Sequence, residues 1–242
     1  MSDSAAIRFD QVGVRFGAVT ALAHASFTVR AGSITALWGP NGAGKSSLIR
    51  IVCGLLRASA GSGEVLGEPL AARPARRRAQ IGYMAQHTVL YDELSVAENL
   101  VFRAAVMGLP RHREHAREAV REHQLDSVQA QRVGALSGGW RQRVAFCAAQ
   151  LAQPRLLLLD EPCAGLDAQA RAALWAALRG LAATGVTALV STHDAAEAAL
   201  CDALIVLERG RVAFSGAPRQ YWSAHDLQAL RAAATVGLRA AA

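Results

Sequence analysis

The chain has 242 residues, 52% of them hydrophobic, and a formal net charge of +7 from 26 basic and 19 acidic side chains. That length allows one large domain or two small ones with a sizeable core, and no apolar run approaches the roughly 20 residues that cross a bilayer. Four widely spaced cysteines (Cys53, Cys147, Cys163 and Cys201) with no CxxC pair argue against a disulfide framework or a metal cluster.

The opening, MSDSAAIRFDQ, lacks a basic segment followed by an apolar one, so a cytoplasmic protein is expected. AIRFDQVGVRFG and then ASFTVR read as short alternating strands with glycine turns. SITALWG (33–39) is a compact apolar run and a buried strand, and KSSLIRIVCGLL after it has helical spacing. GSGEVLG (61–67) reads as turn and strand, and IGYMAQ (81–86) as another short strand. The arginines of RPARRRAQ (73–80) lack interleaved aromatics for base stacking, so they read as solvated surface or a face near anionic lipid heads. No nucleic-acid partner is expected.

From about Leu94 to Ala152 the pattern turns helical. SVAENLVFRAAVMGL starts with Ser95 and Glu98 at capping-box spacing. REHAREAVREHQL is a second helix with interspersed charges, and GGWRQRVAFCAAQLAQ a third, ended before Pro154. Strands return with RLLLLD (155–160) and GVTALVST, separated by the helix AQARAALWAALRGLAAT. AAEAALC is helical, ALIVLERGRVAFSG a hairpin turned at Arg209-Gly210, and the tail from Ser223 a helix. Apolar strands alternating with helices predict a parallel sheet covered on both faces, interrupted by a helical subdomain at about 88–152.

Three stretches carry chemistry. GPNGAGKS (39–46) fits G-x-x-x-x-G-K-[ST] between a strand and a helix. Gly42 and Gly44 let backbone N–H groups close around phosphate oxygens, Lys45 reaches the β- and γ-phosphates, and the Ser46 hydroxyl holds Mg²⁺. Lys45 is the only lysine in an arginine-rich chain, which marks a cradle that fits a compact ammonium and not a planar guanidinium. LLLLDE (156–161) delivers Asp160 to the carboxyl edge of the sheet as a Mg²⁺ ligand through water, with Glu161 beside it as general base. Gln86 and His193 end neighbouring strands; His193 can reach the γ-phosphate, and Gln86 the Mg²⁺ or the attacking water. LSGGWRQR (136–143) is a second anion-binding edge, with a serine and two glycines at a helix start far from the phosphate loop.

GPNGAGKS, Gln86, LSGG, LLLLDEP, AGLD (164–167) and His193 resemble, in order and approximate spacing, the ATP-binding cassette family of nucleotide-binding domains. The resemblance spans about Ile7 to Pro218. It implies a P-loop nucleotidase core with a mainly parallel sheet, an antiparallel β edge and the inserted α-helical subdomain. Residues 1–225 would form the cassette and 226–242 a short helical extension. The resemblance also implies ATP and Mg²⁺ as cofactors. ATP would lie on Gly39, Pro40, Asn41, Gly42, Ala43, Gly44, Lys45, Ser46 and Ser47, its adenine stacked on Phe16. Mg²⁺ would lie at Ser46, Gln86 and Asp160, and Glu161, His193 and Gln86 would serve catalysis.

The family works as head-to-tail pairs, which explains the second anion edge: Ser137, Gly138 and Gly139 would meet the γ-phosphate held by another subunit, with Asp167 at that interface. The resemblance further implies a transmembrane permease on a separate polypeptide, seated near Gln86 on His87, Val89, Leu90 and Tyr91, and a location at the cytoplasmic face of the cell membrane. ELSVAENLVFRAAVMGL and SGGWRQRVAFCAA resemble bacterial exporter ATPases, so export is the expected direction. A soluble cassette acting on ribosomes or nucleic acid is the alternative; its relatives have two cassettes or a long insertion, and this chain has neither. A module that senses ATP without hydrolysing it is disfavoured by Glu161 and His193 together. Two residues depart from the family pattern: Trp140 stands in place of glutamine beside the expected nucleotide edge, and Cys163 in place of threonine or serine, a small substitution without a redox role.

Overall fold

The computed structural model describes residues 4–86 and 90–239. His87 and Val89, read above as part of a docking segment, lie outside the described residues.

A six-stranded sheet forms the centre. Its order is β10 (Arg211–Gly216), β9 (Ala203–Glu208), β3 (Ile34–Trp38), β8 (Thr187–Thr192), β7 (Leu156–Asp160), β6 (Ile81–Met84). All neighbours run parallel except the β9–β10 hairpin, which turns at Arg209-Gly210 as the sequence predicts. The four leucines of β7 show why a continuous apolar run belongs in such a sheet. Successive side chains alternate between faces: Leu156 and Leu158 enter one core, Leu157 and Leu159 the other.

The first core is closed by α1 (Lys45–Val52) and by an antiparallel sheet of order β2 (Val19–Arg30), β1 (Ala5–Phe16), β4 (Ala60–Val65), β5 (Glu68–Pro69). The second is closed by α5 (Gly138–Gln150), α6 (Ala168–Ala183) and α7 (Ala195–Ala199). After β10 come the single turn α8 (Pro218–Tyr221) and α9 (Ala224–Arg239), whose Arg231 Nε donates to the carbonyl of Ala199 in α7 at 2.9 Å. Together with the helical block below, this is the α/β architecture expected from the sequence.

Two expectations need correction. The amino-terminal strands are not short: β1 and β2 each run for twelve residues. The chain absorbs register shifts as bulges, one of them around Gln11 at φ 52°, so Gly13 is a buried strand residue paired with Ala60 and only Gly17 (φ 57°) turns the hairpin. The basic stretch 73–80 is not uniformly solvated either. It contains α2 (Ala75–Arg78), whose Arg77 is buried and donates from Nη1 to the Pro69 carbonyl at 3.2 Å, while Arg73, Arg76 and Arg78 are exposed.

The helical block holds α3 (Val96–Val106), α4 (His112–Glu122) and α5 around a third core of its own. The capping box at its entry is formed: the Glu98 N–H donates to Ser95 Oγ at 3.2 Å and the Ser95 N–H to Glu98 Oε2 at 2.8 Å. Asn99, buried beneath it, accepts the Tyr91 N–H and donates to the carbonyls of Tyr91, Leu94 and Ser95. Tyr91 itself is exposed and Leu90 packs against the third core.

Candidate active site

Parallel registration places the candidate site residues. Trp38 is level with Thr192, Asp160 with Ser191, and Met84 with Leu159. The carboxyl ends of β3, β8, β7 and β6 therefore share one edge, and the residues just beyond them (Gly39, His193, Glu161 and Gln86) meet there. Ligands of open α/β sheets bind at that edge.

The glycine loop between β3 and α1 is shaped by positions that accept no side chain. A Cβ on Gly39 would lie 2.2 Å from the Leu207 carbonyl oxygen of β9. Gly42 and Gly44 adopt φ 79° and 105°, where other residues are strained. The Gly210 N–H donates to the Ala43 carbonyl at 2.9 Å, and the Ala23 N–H to the Gly210 carbonyl at 2.7 Å. The loop is thus tied to the β9–β10 turn and, through it, to the antiparallel sheet. Beside it opens a cavity of about 660 Å³ lined by Val19, Thr20 and Ala21, by residues 41–47, and by Gln86, Glu161, Arg209 and Gly210. The volume suits a ligand of nucleotide size, and the backbone N–H groups of a helix start suit phosphate.

Lys45 lies in the wall of this cavity, 6% exposed, its Nζ donating to the carbonyls of Gly39 (2.8 Å) and Pro40 (3.2 Å) and standing 3.7 Å from Glu161 Oε1. Glu161 takes φ 51°, an uncommon conformation for a residue with a Cβ, and its backbone N–H donates to Ser191 Oγ at 3.0 Å. The turn leaves its carboxylate, 10% exposed, among three groups: Lys45, His193 with Nδ1 3.4 Å from Oε2, and Gln86 with Nε2 3.5 Å from Oε2. Asp160, one residue earlier, is buried and accepts from Ser191 Oγ. Ser46, Gln86 and Asp160 offer the hard oxygen donors that Mg²⁺ prefers.

Other expected residues lie apart from this cluster. Phe16 is half exposed at the end of β1 and is not a core residue. Ser137, Gly138 and Gly139 start α5 away from the cavity lining; Ser137 makes no side-chain cap, and a Cβ on Gly139 would meet Ala170 and Leu166. Asp167 caps α6 through the Ala170 N–H at 2.7 Å. Trp140, one residue after Gly139, is half-buried and packs against the core of the helical block. The Arg143 guanidinium lies 4.5 Å over its ring, a cation–π contact, and Arg143 also donates to the His123 carbonyl, so the guanidinium links α5 to the end of α4. Cys163 is buried, and burial pushes its thiol well above the usual range, which fits an inert small residue.

Arg209 was missed as a site residue. In the sequence it is only half of a turn. It reaches the cavity because β9 lies beside β3, a neighbour relation that local pattern does not carry.

A family model described as ABC transporter matches residues 22–164. The chain is 39% identical over 217 residues to Nod factor export ATP-binding protein I of Burkholderia lata, covering 88% of this chain and 71% of that protein. It is 37% identical over 207 residues to the probable multidrug ABC transporter ATP-binding protein YbhF of Escherichia coli K12, covering 84% of this chain but 36% of that protein. Among solved structures, an ATP binding subunit of an ABC transporter superposes with a TM-score of 0.81 at 31% identity, covering 96% of this chain and 100% of the other. The cbiO1 protein of Clostridium perfringens, part of the ABC transporter complex cbiONQ, gives 0.83 at 26% identity, covering 97% and 98%.

Proposed function

Since the chain belongs to the ABC transporter family of ATP-binding proteins, we propose that it hydrolyses MgATP and thereby powers a membrane transporter through a separately encoded permease, in the direction of export. The observation that carries this reading is the Glu161 carboxylate with Lys45, His193 and Gln86 all within 3.7 Å, beside a phosphate-shaped loop. A carboxylate so placed accepts a proton from an attacking water, while His193 and Gln86 orient that water and the γ-phosphate. Lys45 exchanges its backbone carbonyl partners for phosphate oxygens, and Phe16 and Arg209 flank the nucleoside end. Ser46, Asp160 and Gln86 would hold Mg²⁺, which would supply electrostatic stabilisation of the developing phosphate charge.

Ser137, Gly138 and Gly139 serve the nucleotide of a second subunit in this reading, most simply another copy of the chain, with residues 1–225 as the cassette and 226–242 as its extension. An unpartnered serine and two small residues at an exposed helix start have free N–H groups for a γ-phosphate from outside. Hydrolysis removes that bridging charge and parts the pair. Among the described residues no helix is long and apolar enough to cross a membrane, which supports a permease on another chain and a peripheral place at the cytoplasmic membrane face. The relative named for Nod factor export supports the direction.

Purification of the tagged chain from detergent-solubilised cells tests the assignment. Recovery of a protein with several apolar spans, which raises phosphate release when present, is expected. Recovery of ribosomes without a membrane protein would instead favour a soluble cassette.

A further inference from the structure

Trp38 ends β3, directly before Gly39, and is half-buried. Register with β8 sets its indole beside the chain leaving that strand, and its Nε1–H donates to the carbonyl oxygen of His193 at 3.2 Å. Two rings from the segment after the last strand close on the indole edge-on: Tyr221 at 5.8 Å and Trp222 at 5.6 Å between centroids. Tyr221 and Trp222 also contact each other, and Phe214 packs on Tyr221 at 5.1 Å.

His193 is held mainly through its backbone neighbours. The Gly39 N–H donates to the Thr192 carbonyl at 3.4 Å, and the Asp194 N–H to Thr192 Oγ1 at 3.0 Å. The imidazole itself is 59% exposed and touches Glu161 with one nitrogen. A side chain that free takes its position from the peptide that carries it, and the indole N–H is the group that grips the carbonyl of that peptide.

We propose that Trp38 is a positioning residue for hydrolysis: its N–H fixes the His193 peptide and hence the imidazole relative to Glu161, and the Tyr221–Trp222 pair keeps the indole turned to do so. The proposal rests on the assignment of His193 to the catalytic site made above. It also makes the segment after β10 a support of the active site, although none of its described residues lines the cavity.

Trp38→Phe keeps a ring in the aromatic box and removes the donor. Loss of one such hydrogen bond is expected to lower kcat about fivefold, with KM for ATP changed less than about twofold and the melting temperature close to wild type. The decisive comparison repeats the substitution in a His193→Ala background. A positioning role acts through the imidazole, so Trp38→Phe should then cost almost nothing further. An equal loss in both backgrounds, or no loss in either, overturns the proposal. Trp222→Leu, which loosens the box but keeps the N–H, is expected to lower kcat two- to threefold in the His193 background alone. It decides the question in the same way if Trp38→Phe folds poorly. A wild-type rate for His193→Ala itself would overturn the catalytic assignment of His193 and this proposal with it, which separates that failure from failure of Trp38 alone.

Discussion

Glu161→Gln isolates the proposed base with little structural disturbance. The amide is nearly isosteric, so the turn at φ 51° and its N–H bond to Ser191 Oγ are retained. Lys45 loses a carboxylate at 3.7 Å but keeps the carbonyls of Gly39 and Pro40, so the loop stays closed on its ammonium. Gln86 keeps an oxygen to donate to, and His193 Nδ1 keeps that oxygen beside it. Only the ability to accept a proton goes. General-base catalysis contributes about 10²–10⁴-fold, equivalent to about 3–5 kcal/mol of barrier, so phosphate release should fall by that factor while ATP binding and the melting temperature hold. The assay is steady-state phosphate release at saturating MgATP with the partner permease present, paired with size-exclusion of the isolated chain. ATP-bound dimer should accumulate. A release rate within about threefold of wild type, or a chain that stays monomeric under saturating MgATP, would refute the assignment of Glu161.

Arg209→Ala removes a cation from the cavity wall; KM for ATP should rise about three- to tenfold with kcat nearly unchanged, the pattern of lost uniform binding, and a kcat loss without a KM change would contradict it. Gly39→Ala pushes a methyl to 2.2 Å from the Leu207 carbonyl, backbone of a strand hydrogen-bonded to β3. Overpacking of this kind costs about 1–3 kcal/mol, which for a chain of this size lowers the melting temperature by about 3–10 °C, and calorimetry with nucleotide titration should show both destabilisation and weakened binding. Glu197 is buried beside Thr192 and Arg171, and burial raises its carboxyl above the usual value. An acid with a raised folded pKa loses stabilisation as pH climbs through that pKa, so Glu197→Gln should raise the melting temperature relative to wild type at pH 8 and lose that advantage towards pH 4.5. A larger advantage at low pH would reverse the sign.

The parts of the site legible in the sequence are those whose chemistry is contiguous. Gly39 to Ser46 declare a phosphate loop because strand, glycines, lysine and helix follow one another in the chain. Asp160 and Glu161 are legible because an uninterrupted leucine strand must be buried on both faces, so acids at its carboxyl end fall at the sheet edge beside the phosphate loop. Gln86 and His193 needed the further inference that strand ends share an edge, and the register of β6, β7 and β8 supplies it. Arg209 and Trp38 were not legible as site residues, because their relevance arises from β9 and β8 flanking β3, and strand order is a long-range property. The bulges of β1 were missed for a related reason: Gln11 adopts a left-handed conformation that its residue type does not announce, so Gly13 looked like the turn. Arg77 was misread because a buried guanidinium depends on carbonyls supplied by other segments, here Pro69. Trp140 was legible only as a departure from its motif; its partial packing on the core of the helical block depends on neighbours from other segments.

Lys45 has one more consequence, in spectroscopy. A chain with a single lysine, held by two backbone carbonyls at the centre of its phosphate loop, carries a built-in reporter. Isotope-labelled lysine would yield one side-chain ammonium resonance with no assignment step, and its chemical shift would follow the exchange of carbonyl for phosphate partners through each stage of turnover, without any label added to the protein.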